Sequence, residues 1–316
     1  MARQYIRQVS LIVGDASGNG IDLSQMRIRF ATKQFDLQTP NTAEIRVYNL
    51  SDDTANKVQK EFTKVELRAG YDGNFGTIFA GTVVQFRRGR ENPTDKYMDL
   101  IVADGDVAYN WAAISTTLAA GYTPDDEFQA IAKAFEEHGI KVGYKPTFRT
   151  YQSPRGTTLY GRARDRLRDF CETEGMRWSI QNGKLQIIPK GQTMSQEAFV
   201  LRPDTGLIGM PIQTPSGIEA RCLLNPNIRI GGRVQIDQSS VQQAVINQQV
   251  SAGALRYNSF LPKLAGDGLY AVFVAEHRGD TRGQDWYTDL ICLAMDATVT
   301  PALLGRGLTA GAVSGS

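Results

Sequence analysis

Histidine and cysteine are almost missing from this sequence: among 316 residues there are two histidines, His138 and His277, and three cysteines, Cys171, Cys222 and Cys292. Three widely spaced cysteines, an odd number, argue against a disulfide framework and against a zinc site, so they read as small core residues. Two distant histidines leave triad or dinuclear metal chemistry little to work with. No run approaches the ~18 apolar residues that a membrane span needs. The opening MARQYIRQVSLIVGDASG lacks the pattern of a secretory signal, so synthesis and folding in the cytoplasm are expected. Neither sign of charge dominates, with 35 Lys and Arg against 33 Asp and Glu. Nothing here suggests a strong basic field for nucleic acid. Also missing are a Walker-type glycine loop, a dinucleotide fingerprint and a nucleophile elbow, the common local signatures of catalysis.

What the chain does have is glycine, β-branched residues and punctuated alternation. Its length exceeds one ordinary core, so two or three domains are expected. Up to residue 105, RQVSLIVG, MRIRFATKQ, AEIRVYNL, KVELRAGY, GTIFAGTVVQF and KYMDLIVAD read as strands. One helix interrupts them, capped by Ser51, with Ala55, Val58 and Phe62 on one apolar stripe. Residues 106–192 change period. Thr123-Pro124-Asp125-Asp126 reads as a helix cap followed by a face of Phe128, Ile131 and Phe135, ended by Gly139. A second helix carries Leu159, Ala163, Leu167, Phe170 and Cys171 and stops at Gly175. Asn182-Gly183 between two strand-like runs demands positive φ at both turn positions, so a hairpin follows. From 193 strands return as EAFVLR, GIEARCLL, GRVQID, GLYAVFVAE and WYTDLICLAM. Gln238 to Gly253 reads as a polar loop, and 297–316 as a flexible C-terminal tail.

The most chemically loaded stretch is EHRGDTRGQDWYTDLICLAM, with Glu276, His277, Asp280, Asp285 and Asp289 close together. An internal repeat explains it. Residues 84–101 align without a gap on 274–291, with eight of eighteen positions identical, where about one would match by chance. The shared positions describe a hairpin: strand, Arg-Gly turn, then a strand entered through Asp-x-Tyr-x-Asp-Leu-Ile. Glu276, His277 and Asp280 are not shared; their counterparts are Phe86, Arg87 and Arg90. The stretch therefore reads as a turn between strands rather than a metal, adhesion or acid/base site, and those three side chains are expected to be dispensable for folding. Leu100 and Leu290 face opposite to Ile101 and Ile291, so one member of each pair is expected in a core and the other on an outer surface against a neighbour. Asp104/Asp106 and Glu136/Glu137 are available as carboxylate pairs, each in a setting that a solvated loop or helix face explains. Arg162, Arg164, Arg166 and Arg168 spread around their helix and interleave with Asp165, Asp169 and Glu172, which favours a salt-bridged face, including an Arg168–Glu172 pair, over phosphate binding. Trp111, Trp178 and Trp286 all stand where packing explains them.

Four stretches carry a family resemblance: DTGLIGMPIQTPSGIEARCLLNPNIRIGGRVQID (204–237), GLYAVFVAEHRGDTRGQDWYTDLIC (268–292), LRDFCETEGMRWSIQNGKLQIIPKG (167–191) and, in the first part, GTIFAGTVV (76–84). They resemble baseplate central hub proteins of contractile-tailed phages, the Mu-like tail hub family. The resemblance implies a mainly β fold of two similar β-barrel domains, a tube-facing one over 1–105 and a second over 193–296, with a small α+β domain over 106–192 between them. It implies a structural virion protein of the tail baseplate: a homotrimer forming a pseudo-six-fold ring that joins tail tube to central spike. Expected partners are its own copies, the spike, the tube, other baseplate proteins, and DNA only in transit. No catalytic, cofactor or metal residue is expected, and no membrane-spanning segment. The alternative is a tail-associated protein that binds or hydrolyses peptidoglycan or another carbohydrate.

Overall fold

The computed structural model describes residues 6–15, 17–194, 197–214, 217–243 and 264–294. The first part contains β1 (Arg7–Gly14), β2 (Gly20–Asp22), β3 (Ile28–Phe35), β4 (Thr42–Tyr48), α1 (Asp52–Glu61), β5 (Lys64–Tyr71), β6 (Asn74–Arg90) and β7 (Lys96–Ala103). Alternation drives these strands: Ile28 and Phe30 are buried while Arg29 and Lys33 are exposed. Ser51 caps α1 by accepting the Thr54 amide, and Ala55, Val58 and Phe62 are buried beneath it, as the sequence predicts.

The middle part holds α2 (Asp106–Trp111), β8 (Ala113–Leu118), α3 (Pro124–Glu136), β9 (Lys141–Val142), β10 (Thr157–Arg162), α4 (Ala163–Thr173), β11 (Met176–Gln181) and β12 (Lys184–Pro189). Thr123 and Asp126 form a reciprocal capping box at α3. Asn182 (φ 52°) and Gly183 (φ 71°) make the expected turn between β11 and β12. Two details differ from the sequence reading. Leu159 lies in β10 and not on α4, and β8 with β10 forms a separate two-stranded sheet.

The last part contains β13 (Ala198–Leu201), β14 (Leu207–Thr214), β15 (Gly217–Leu223), β16 (Arg233–Ile236), β17 (Gln242–Gln243), β18 (Leu269–Asp280) and β19 (Trp286–Ala294). Most of the expected 238–253 loop and the whole 297–316 tail lie outside the described residues.

The chain is mainly β. Strands from both ends of the sequence join one 14-stranded sheet, whose path is β17-β14-β15-β19-β18-β3-β4-β7-β6-β5-β1-β2. Two equivalent four-strand sets lie in tandem along it, β14-β15-β19-β18 and β3-β4-β7-β6, with every neighbouring pair antiparallel. Among the described residues neither set closes on itself. The two separate barrels expected from the sequence are therefore not seen as closed units, because β18 pairs with β3 and carries one sheet through both.

Three apolar clusters underlie the sheet and the middle part. One packs β3, β4 and β7 against β1, β5 and α1. A second holds α3, α4, Trp178 and the β11–β12 hairpin. The third packs β15, β18 and β19 against Leu201, Val234 and Ile236. Leu100 and Leu290 enter the first and third clusters, while Ile101 and Ile291 stand half-buried on the opposite face. Thermal melts of four alanine variants check this: Leu100→Ala and Leu290→Ala should each lose about 2–5 kcal/mol. Ile101→Ala and Ile291→Ala should lose clearly less.

Candidate functional site

The repeated hairpins β6–β7 and β18–β19 are the natural place to look, because each copy tests the other. Each has a bulge in its first strand, between Val83 and Gln85 and between Val272 and Val274, one residue apart in the alignment. The register also differs by one along the whole hairpin, on both sides of the bulge, so Asp99 faces Arg87 whereas Asp289 faces Glu276. Gly89 and Gly279 lie within strands, not in the turns the sequence suggested. A ring occupies the space a side chain would need: a Cβ on Gly89 would stand 2.5 Å from the Tyr97 hydroxyl, and one on Gly279 2.4 Å from the Phe30 ring.

The neighbouring strands extend the repeat. Arg46 of β4 faces Asp99, and Arg221 of β15 faces Asp289; Glu44 faces Ile101, and Glu219 faces Ile291. Each aspartate accepts from its arginine at short range, Asp99 from Arg46 Nε at 2.7 Å and Asp289 from Arg221 Nε at 2.6 Å. Each guanidinium also lies over the repeated tyrosine, Arg46 over Tyr97 and Arg221 over Tyr287. A second arginine and a glutamate complete each group. Asp99 meets Arg87 at 3.0 Å and Arg87 meets Glu44 at 3.1 Å. Asp289 meets Arg278 at 3.7 Å and Arg278 meets Glu276 at 2.8 Å. The slipped register is thus compensated: Arg278, aligned with Arg88, takes the role that Arg87 has in the first copy. Both copies present the same chain of Arg–Asp–Arg–Glu on the sheet face opposite the apolar clusters.

The remaining loaded residues are structural. Asp280 binds Arg27 at 2.8 Å and accepts the Arg282 amide. Burial opposes its charge, yet the Arg27 bond and the turn amides keep its pKa below the usual range. The Arg-Gly-Asp triplet therefore lies inside a strand with both charges engaged. His277 is fully buried; its Nδ1 is 2.9 Å from Thr288 Oγ1, and its amide donates to Thr32 Oγ1. The contacts of His277 and Asp280 argue against the expectation that they are dispensable for folding, because each holds a polar contact in this copy that the first copy makes differently. Burial, helped by the charge of Arg229, lowers the His277 pKa to about 4. A histidine kept neutral by the fold contributes stability above its unfolded pKa of about 6.5, and loses it as pH falls toward 4. Denaturant unfolding at pH 7 and pH 4.5 should show a His277→Gln penalty that shrinks by about 2–3 kcal/mol at the lower pH. An unchanged penalty would contradict the buried neutral ring.

Among the described residues no group of three or more His, Cys, Asp or Glu side chains is placed to hold a metal ion. All three cysteines are free and buried, and burial pushes Cys171 and Cys222 up to about 12. Asp104 is buried where the first and middle parts meet, beside a cleft of about 390 Å³ that His138 also lines. Burial raises its pKa to about 6 against the pull of the Asn182 and Gly183 amides, which its two oxygens accept. That carboxylate reads the β11–β12 turn and fastens the middle part to the sheet; Asp106 instead accepts from Asn110. Asn41 donating to the Ile180 carbonyl and Asp36 paired with Arg177 at 2.8 Å add to the junction.

A family model, baseplate hub gp41, matches residues 6–258. The chain belongs to that family. Membership makes the hub chain a structural protein of a phage tail baseplate. Its fold is also that of the 43 kDa tail protein of prophage MuSo2 from Shewanella oneidensis, at 10% identity, TM-score 0.56, covering 92% of this chain and 97% of the other. A tail protein from Neisseria meningitidis is equally similar, at 11% identity, TM-score 0.56 and the same coverage. The E. coli c3393 protein, a type VI secretion component with structural similarity to phage T4 gp27 and gp5, matches at 9% identity and TM-score 0.50, covering 89% and 77%. No curated relative matches by sequence.

Two further sequence readings meet the hub structure. On α4, Arg164 donates to Tyr109 and Asn110, Arg166 pairs with Asp169, and Arg168 pairs with Asp165 and Gln38. The face is salt-bridged as expected, although Arg168 pairs with Asp165 and not with Glu172. Trp178 and Trp286 are core residues, but Trp111 is 75% exposed at the end of α2, contrary to the packing expectation. No helix among the described residues is long and apolar enough to cross a membrane.

Proposed function

We propose that this chain is the central hub of a contractile tail, a homotrimer whose pseudo-six-fold ring joins the tail tube to the spike and leaves an axial passage for DNA. The tandem order of the sheet carries the reading. Inside the chain, the last strand of one set, β18, pairs with the first strand of the other, β3. Among the described residues the same kind of junction is open at the far ends. Beyond Thr82 the strand pairings of β6 are with β7 alone, and β17 covers only Ile212 and Gln213 of β14. Both open stretches expose apolar side chains, Val84 at 59%, Met210 at 54% and Ile208 at 37%. Joining β6 of one chain to β14 of the next repeats the internal junction and removes two sticky edges. Such a head-to-tail contact closes into a ring of three when its rotation is one third of a turn. Three chains then offer six equivalent strand sets to a six-fold tube, and a three-fold arrangement to a spike.

In this reading residues 1–105 form the tube-facing barrel-like module and 193–296 the second one. Residues 106–192 form the α+β module between them. The partners are its own copies, tube, spike and other baseplate proteins, assembled in the host cytoplasm, with no catalytic role. One observation favours a second reading: Trp111 and Tyr160 are each 75% exposed, the kind of platform on which sugars stack. Co-expression with the tube and spike proteins of the same tail decides between them. A single purified particle holding all three is expected. Binding or clearing of peptidoglycan, with neither tail protein retained, would overturn the hub reading.

A further inference from the structure

Among the described residues, the two Arg–Asp–Arg–Glu groups lie on the broad face of the sheet that no core covers. α1, β1 and β5 pack on the other side of the first set, and β13 and β16 on the other side of the second. A sheet that carries all its bulk on one face curves with that face outward when it closes. The bare face then turns toward the axis. Here it presents Arg46, Asp99, Arg87 and Glu44 in one set, and Arg221, Asp289, Arg278 and Glu276 in the other. Each group has two positive and two negative side chains and is neutral as a whole. Between them β3 adds Arg29 and Lys33, and β15 adds Glu219, so the face stays close to neutral.

We propose that this face lines the axial passage as a low-adhesion surface for duplex DNA, with the glutamates cancelling arginines that would otherwise grip phosphate. The proposal rests on the ring reading above. The arginines serve the sheet by holding Asp99 and Asp289, whose carboxylates would otherwise stand uncompensated between strands. Free of Glu44, Glu219 and Glu276, the same arginines would form a continuous basic track around the ring. A polyanion moving through such a track would meet counterion-release attraction at every turn of the helix. Neutral groups repeated six times around a ring leave a moving duplex no such hold.

The test uses the full-length protein carrying Glu44→Gln, Glu219→Gln and Glu276→Gln together, which leaves the arginine clamps on Asp99 and Asp289 in place. A control variant carries Glu61→Gln, Glu136→Gln and Glu137→Gln, exposed on α1 and at the end of α3. Mobility shift is measured with linear duplex and with covalently closed circular duplex, and mass is measured on the same samples. The face variant should form trimers that hold linear duplex at least tenfold more tightly than wild type or control, with retention falling steeply as salt rises. Those trimers should not hold the circle, which cannot thread a closed ring. A trimer that retains both probes places the face outside and overturns the lining alone. A trimer that retains neither, or no more than the control, overturns the charge argument. A monomer that retains both overturns the ring reading and the lining with it.

Discussion

Replacing Trp286 by alanine should destabilise the protein by about 3–5 kcal/mol, a larger loss than any other single truncation in the C-terminal half. Trp286 opens β19 yet belongs to the first apolar cluster, where it packs edge-on to Phe30 with ring centroids 5.5 Å apart. Its indole N–H donates to the Gly70 carbonyl, and Arg7 lies over its ring. The same Arg7 donates to the carbonyls of Gly283 and Gln284 in the β18–β19 turn, while Ile28 and Thr281 exchange hydrogen bonds. The turn of the second copy is therefore set into the core of the first. Equilibrium unfolding should show Trp286→Ala lowering the stability of both halves together. A variant that loosens only the C-terminal half would mean the halves fold independently.

The second large effect concerns assembly and not folding. Ile208 and Met210 are exposed on the open stretch of β14, so lysines there should leave the melting temperature within a few degrees of wild type. In the proposed ring these positions meet β6 of the next chain. A lysine forced into an apolar contact without a partner weakens it by about 3 kcal/mol or more, a hundredfold or more in dissociation constant. Ile208→Lys with Met210→Lys should thus abolish the trimer while circular dichroism stays unchanged.

Local signals carried much of this fold into the sequence. Ser51, the Thr123-Pro124-Asp125-Asp126 cap and Asn182-Gly183 act through neighbouring backbone atoms, so their meaning does not depend on the rest of the chain. The repeat was legible where no gap intervened. Its third strand was not: Glu44 and Arg46 match Glu219 and Arg221 at an offset of 175 residues, not 190, because the segments between the strands differ in length. The pair Glu-x-Arg in both strands was the signal that finds it. β14 escaped because Gly209 and Pro211 read as punctuation, whereas the strand accommodates them with a register shift between Ile208 and Ile212. The one-residue slip between the hairpins was equally hidden, since Gly89 pairs with Tyr97 but Gly279 with Trp286, and such a register is set by backbone pairing and leaves no composition of its own. His277 shows the consequence. Its aligned partner Arg87 sits on the open face, and the slip turns the histidine into a buried polar cluster with Thr32 and Thr288.

The proposed assembly depends most on the junction between chains, and the mass of the native particle tests that junction most directly. Wild-type protein, alone or co-expressed with the proposed spike partner, should give a species of three copies. The Ile208→Lys, Met210→Lys variant should remain a monomer under both conditions. A hub of two or six copies, or a three-copy species that persists in the lysine variant, would contradict the β6–β14 junction and the ring built from it.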